Sequence, residues 1–468
     1  METQQICRLC AGRLNSRKMA GPVCLVLLSF LLESCTQPAV REPASVTLTF
    51  ADQQWVSKQY VEEYQEELRE FTEQTGIRVN FPPSPESTRD QLAFRQELLG
   101  TGASGPDVYA IDVIWPGILK ENFIDLKPYF SAEISRDFPA VVAAYTVDNK
   151  LVALPYRVNL GLLFYRTDLL RHYGYRAPPR TWDELETMAA RIQAGERAKG
   201  NKEFWGFVWE GAAVEALTCN ALEWQAAEAG GRIIEQDKTI TVNNPHAIRA
   251  WQRAAGWVGS ISPPSVVAYN DWDAQNVWIA GNAAFMRSWT IAYASSQATG
   301  SPIRNKFDVS LLPGDRAGRV SVLGGSGLAV SRFSLHPREA LKLVRFLTSE
   351  DIQVRRSRIL SGPPTLPQPY ERVGGLEPNP YSDLTSQALR NGMISRPSDV
   401  TGQKYEDVSN AYMQAVHSVL SGEKSAREAA AALEQELIRI TGFITGPPPA
   451  GLQHRGEKLE VKPLGNPD

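Results

Sequence analysis

Between residues 46 and 111 the chain switches repeatedly between short apolar runs and amphipathic stretches, and this alternation constrains the fold more than any other feature. Val46-Thr47-Leu48-Thr49-Phe50 alternates as a strand does. Val61, Tyr64, Leu68 and Phe71 then recur at three- and four-residue spacing, the period of a helix with one buried face, and Gly76 supplies its stop. Residues 77–81 read as a second strand, 91–99 as a second helix and 106–111 as a short buried strand. Strands separated by helices of this length predict right-handed βαβ units and a largely parallel sheet. Ligands of such sheets gather at the carboxyl ends of the strands, where Asp112, Asp52, Gln53 and Gln54 fall. Further on, the periodicities predict helices over 182–193, 213–229, 245–260, 337–347 and 426–440, and strands over 307–312 and 320–330.

The 468 residues provide for two or three domains, and 49 basic against 52 acidic side chains give a net charge of -3. So balanced a surface excludes a nucleic-acid binder, which would carry a basic excess. Of the five cysteines, Cys7, Cys10 and Cys24 lie in a leader, in which Arg8, Arg13, Arg17 and Lys18 precede an apolar run over 23–32. That layout is a secretory signal, too short to cross a bilayer as a mature helix. Ser34-Cys35 at its end resembles the lipobox of bacterial lipoproteins, which implies that Cys35 is acylated and becomes the new N-terminus; Glu33 departs from that pattern. Ordinary secretion or an uncleaved anchor is the alternative. Residues 1–35 are thus a signal peptide with lipobox, 36–45 a tether with Pro38 and Pro43, and 443–468, containing Gly446-Pro447-Pro448-Pro449, a disordered tail. Cys219 remains as a lone thiol, so stability must come from packing. Five scattered histidines with no HExxH spacing predict neither metal nor cofactor.

A series of motifs, in order, then becomes familiar. Ala153-Leu154-Pro155-Tyr156, Leu162-Leu163-Phe164-Tyr165-Arg166-Thr167-Asp168, Pro179-Arg180-Thr181-Trp182-Asp183-Glu184-Leu185, Phe285-Met286-Arg287-Ser288-Trp289, Leu323-Gly324-Gly325 and the 429–431 alanine helix resemble the extracellular solute-binding proteins of bacterial ABC importers, sugar-binding type. The resemblance spans nearly the whole mature chain. It implies an α/β, two-lobed periplasmic-binding-protein (type II) fold with discontinuous lobes and a ligand cleft at the hinge. The N-terminal lobe would hold 46–155 and 312–349, the C-terminal lobe 156–311 and 350–442. It also implies a non-catalytic, lipid-anchored monomer at the extracytoplasmic face that captures a small carbohydrate, such as trehalose or maltose, and passes it to a membrane permease. Ligand that bridges both lobes would favour their closure.

Sugars need hydrogen-bond partners for their hydroxyls and aromatic faces for their C–H surfaces. Asp112 could accept from two hydroxyls; its alternative is a cap for the turn that follows. Arg89 resembles the first-lobe arginine of relatives, and Gln54 lies where they carry an acid or amide. Arg157 and Asn159 stand where trehalose- and maltose-binding relatives tend to have an aromatic and an aspartate. Trp289 is the expected stacking platform, with Tyr293 after it and Trp272 nearby; each is otherwise core. Gly324 and Gly325 would admit ligand to backbone N–H groups or serve a tight bend. Few cationic candidates disfavour a phosphate ester. A secreted glycosidase would require two carboxylates facing one bond, with Asp52, Asp112 and Glu215 as candidates. Gly324-Gly325-Ser326-Gly327 lacks the spacing of a nucleophile elbow, since Leu328 stands where the last glycine would fall.

Overall fold

The computed structural model describes residues 46–52, 58–85, 88–102, 104–360, 362–371 and 381–449. The leader, the tether, Cys35, Gln53 and Gln54 lie outside the described residues, as do 450–468.

The first strand pattern forms β1 (Thr47–Ala51), and the helix Lys58–Thr75 follows with Tyr64, Leu68 and Phe71 buried along one face. Gly76 ends it with φ +72°, its N–H donating to Thr72 O at 2.8 Å. β2 (Arg78–Asn80), the helix Thr88–Gly100 and β3 (Val108–Asp112) complete two parallel crossovers, with β1 flanked by β2 and β3. A small hairpin of β4 (Thr146–Val147) and β5 (Lys150–Leu151) leads into β6 (Leu154–Arg166), the longest strand. β7 (Trp205–Val208), β8 (Ala283–Trp289), β9 (Phe307–Leu311), β10 (Ser321–Val330) and β11 (Met393–Ile394) follow. The main sheet runs β2-β1-β3-β10-β6-β8-β7, with β11 on β10 and β9 on β6.

The expectation of a largely parallel sheet holds at its two ends and fails in its middle. β10 is antiparallel to β3 and β6, and β6 to β8 and β9. The physical reason is connectivity: β6 carries the chain out of the first strand set and β10 brings it back, so the two must run in opposite directions. Both strands serve two neighbourhoods. Residues 154–160 of β6 pair with β10, while 161–166 lie between β8 and β9.

In that second half of β6 both faces are buried, and alternate side chains feed two cores. Leu162 and Phe164 enter one with Leu48, Phe50, Tyr64 and Ile111; Leu163 and Tyr165 enter the other with Trp182, Trp209, Trp224 and Trp257. The second core is roofed by the helices Tyr405–Leu420 and Ala426–Thr441, packed on Glu215–Ala227 and Pro245–Trp257. Cys219 is buried within it, and burial pushes its thiol far above the ordinary range.

Two segments sit differently from the sequence reading. The helix Glu350–Leu360, grouped by that reading with the second lobe, packs on Lys58–Thr75: Arg356 Nη2 meets Glu67 at 2.7 Å, and Arg355 meets Glu70 at 2.7 Å. The tail begins ordered, since Ile240 N–H donates to Ile444 O at 2.8 Å and Gly446 N–H to Ile240 O at 3.1 Å. Backbone pairing with a buried residue holds 443–446 without any apolar periodicity.

Candidate functional site

The residues at the β6–β10 crossing are set by one glycine. Gly325 has φ +124°, and an added Cβ would lie 2.1 Å from Arg157 O, so only glycine lets the two strands approach here. A register shift follows between Ser326 and Gly327. Around this irregularity lies a pocket lined by Tyr64, Asp112, Arg157, Val158, Asn159, Ile291, Gly325, Ser326, Arg356, Leu360 and Gly362. Its free volume is about 50 Å³, far below the ~300–1,000 Å³ of typical ligand sites.

Arg157 is the centre of its polar wall. Nε donates to Ser326 Oγ at 2.9 Å and Nη2 to the buried Asp52 carboxylate. The guanidinium lies 4.8 Å from the Tyr156 ring centre and 5.6 Å from that of Tyr64. Arg356 covers the same rings at 4.3 and 5.0 Å, and Glu67 holds it. Burial lowers the Arg157 pKa against the pull of Asp52. Burial also opposes the charge of Arg356, but Glu67, Tyr156 and Tyr64 together outweigh it and the net shift is upward.

Asp112 lies at the end of β3, on the pocket wall. Its Oδ1 accepts from Ile114 N–H at 3.2 Å and stands 3.7 Å from Arg396 Nη2; the short helix that follows at Pro116 has no side-chain cap. Arg396 also holds Glu215 at 2.8 Å. The three carboxylates weighed for glycosidase chemistry are thus each bound by an arginine: Asp52 by Arg157, Asp112 and Glu215 by Arg396.

Trp289 ends β8, half-buried behind the crossing. A Cβ on Gly324 would lie 3.0 Å from its ring and 3.4 Å from Asn159 Cβ, and Thr290 Oγ1 donates to Asn159 Oδ1 at 3.0 Å. Asp112, Arg157, Asn159 and Gly325 therefore line one pocket; Gly324 and Trp289 lie against each other beside Asn159 but are not among its lining residues. Tyr293 does not join them: its ring packs 5.2 Å from Phe307 and 5.1 Å from Tyr381. Trp272 is 55% exposed and lines no part of the pocket. Arg89 lies in the helix Thr88–Gly100, and its side chain is outside the described residues. Most other tryptophans are core, among them Trp182, Trp209, Trp224, Trp251, Trp257 and Trp278.

Sequence reasoning missed Tyr64 and Arg356 as pocket residues; Arg356 adds a second guanidinium beside Arg157, each paired with a carboxylate. The available signal was an arginine on a buried stripe. Arg356 shares its helix face with Ile352, Gln353, Ser357 and Leu360. A charge in that position demands a buried partner, and Glu67, on the buried face of Lys58–Thr75, is one.

Residues 67–373 match the family model of bacterial extracellular solute-binding proteins. The chain belongs to this family. A probable ABC transporter-binding protein of Deinococcus radiodurans is 43% identical over 406 residues, 86% of this chain and 96% of its own length. Among solved structures, maltose-bound T. maritima MalE3 superposes with TM-score 0.77 at 31% identity, covering 85% of this chain and all of the other. The GacH receptor of Streptomyces glaucescens, at 22% identity and TM-score 0.74, shares the fold over 86% of this chain and all of its own. The type II two-lobed α/β architecture of these binding proteins is the fold of this chain. Among the described residues no helix is long and apolar enough to cross a membrane.

Proposed function

We propose that this solute-binding protein captures an oligosaccharide, a disaccharide of the maltose or trehalose kind, and delivers it to an ABC permease, working as a monomer anchored by lipid at Cys35 outside the cytoplasmic membrane. The observation that carries the reading is the hinge pocket at the β6–β10 crossing, in a chain 31% identical to a protein solved with maltose. Asp112, Asn159 and the Gly325 backbone would meet hydroxyls, with Trp289 at a sugar face. The N-terminal lobe would comprise 46–155 and 312–349 together with the helix Glu350–Leu360, and the C-terminal lobe 156–311 and the chain from 381 to 442. Ligand touching both would draw the cleft shut.

Thermal unfolding of the fragment from Thr36 onward, titrated with maltose, trehalose and other solutes, tests this. A ligand bound only by the folded state raises the midpoint with concentration. A saturable shift with a disaccharide is expected; a shift with none of the sugars would overturn the carbohydrate reading. Trp289→Ala should weaken disaccharide binding by about 2 kcal/mol, measured by calorimetry on variant shown to be folded. A second reading is favoured by one observation: Arg157 and Arg356 both line the pocket, so a solute bearing an anionic group would find two guanidinium groups there. Sugar acids and phosphate esters in the same titration separate it from the first.

A further inference from the structure

Tryptophan side chains have two rotatable bonds, and a platform that wanders between rotamers must be ordered when ligand binds. Trp289 is constrained on three sides. The guanidinium of Arg287, with no solvent exposure, lies 4.2 Å from the indole centre. Trp289 Nε1 donates to Asp271 Oδ1 at 2.8 Å. At the six-membered edge of the indole, Gly324 leaves the space that a Cβ would contest at 3.0 Å.

Each constraint is anchored in turn. Glu223 grips Arg287 with both oxygens, at 2.8 and 2.9 Å, and its Oε1 also accepts from Val322 N–H of β10 at 3.0 Å. Glu210 Oε2 stands 3.4 Å from Arg287 Nη1 and accepts from Asn220 at 2.9 Å. Asp271 opens the helix Asp271–Ile279, whose cap Asn270 and Asp273 form a reciprocal capping box. The carboxylate that holds the indole N–H is therefore itself held on a fixed helix end, where the dipole favours negative charge. The Asp271–Trp289 bond extends the Arg287, Glu223 and Glu210 cluster to the indole and satisfies the Asp271 carboxylate.

We infer that Arg287 and Asp271 are positioning residues that set the Trp289 indole in one orientation before ligand arrives, with Glu223 tying that orientation to strand β10 of the hinge. The inference rests on the reading of Trp289 as the stacking platform. Beyond it, the inference assigns a ligand-affinity role to two residues that would act on ligand through the indole.

The test uses maltose as probe and four variants in the folded fragment. Trp289→Ala should lose about thirtyfold in affinity, the equivalent of the 2 kcal/mol above. Asp271→Ala should lose three- to tenfold, and Asp271→Asn, which keeps an acceptor oxygen, should restore most of that loss. A purely structural role would not give this pattern of rescue. Because Arg287→Met would strand two buried carboxylates, the direct readout is instead the indole N–H resonance of Trp289, assigned by its absence in Trp289→Phe. Its hydrogen exchange should speed up at least tenfold in Asp271→Ala and revert in Asp271→Asn, with or without sugar. Wild-type affinity and exchange in Asp271→Ala, alongside a large loss in Trp289→Ala, would overturn the positioning inference and leave the platform standing. Unchanged affinity in Trp289→Ala would overturn the platform, and the inference with it.

Discussion

Two buried clusters of arginine, aromatic ring and carboxylate flank the hinge strands, and they balance charge differently. On the first-lobe side, Arg157 and Arg356 lie over Tyr64 and Tyr156, each paired with one carboxylate, Asp52 or Glu67. On the second-lobe side, Arg287 alone faces Glu223 and Glu210, with Asp271 beyond the indole. Two cations meet two anions in one cluster, and one cation meets three in the other. In the second, burial pushes Glu210 up to about 7 and raises Asp271, in both cases against the attraction of Arg287. Burial raises Glu67 of the first cluster as well, but both of its oxygens are taken by Arg356. Excess leaves the second with a carboxylate whose charge can be removed.

The largest effect should come from breaking the balanced pair. Glu67→Gln leaves Arg356 buried without its counterion, and unfolding in urea should show a loss of ~3–5 kcal/mol. A loss below ~1 kcal/mol would mean that the ring stack, rather than the ion pair, stabilises that side. The matching change in the other cluster, Glu210→Gln, should have the opposite sign at alkaline pH. The folded-state pKa of Glu210 is raised above its unfolded value of about 4.5. Its contribution is therefore fully present below pH ~4.5 and is lost as pH rises through about 7. Glu210→Gln should consequently be more stable than the parent by on the order of 1 kcal/mol at pH 8 and nearly equal to it at pH 5. A uniform loss across that range would show that the Glu210 charge is needed by Arg287 after all.

Asp137 sharpens the comparison because, among the described residues, its hydrogen-bond partner is a hydroxyl, with Arg136 acting on it only through its charge. It lines a separate cavity of about 220 Å³ with Glu133 and Arg345, accepts from Thr365 Oγ1 at 2.5 Å, and is pushed up to about 7 by burial. Asp137→Asn should remove a second part of the stability lost between pH ~4 and ~7, and its effect should add to that of Glu210→Gln, since the two share no partners. The smallest effect should follow Gly324→Ala. A methyl group 3.0 Å from the indole moves the ring by a few tenths of an ångström. Maltose affinity should drop a few-fold with the unfolding midpoint nearly unchanged.

Much of this molecule was legible from local pattern. The spacing of Val61, Tyr64, Leu68 and Phe71 produced a helix with the expected buried face, and the 337–347 pattern became the helix Pro337–Leu347. Asp112 is placed by its position at a strand end, Arg157 and Asn159 by the resemblance to the family, and one pocket gathers all three. What stayed hidden depends on partners distant in sequence. Asn159 pairs with Gly324 across the hinge, and Arg356 finds Glu67, neither of which any periodicity encodes. Many of the tryptophans fill the second core, with Trp182 and Trp257 centred 5.2 Å apart and Trp209 and Trp224 5.0 Å apart. The exposure of Trp272 follows from its place in the first turn of its helix, between Asp271 and Asp273, a site chosen for capping.

The fragment from Thr36 onward contains a single thiol, Cys219, which is buried and held protonated at neutral pH. Maleimides and disulfide reagents act on thiolates they can reach, so this one is inert in the folded state. A cysteine introduced at the exposed position of Trp272 would then be the sole reactive site. A dye attached there would report, without background labelling, on the surroundings of the second-lobe surface as solute is added. The packing of one small residue in the core thus makes the protein ready for conversion into an optical sensor, with no native cysteine to remove.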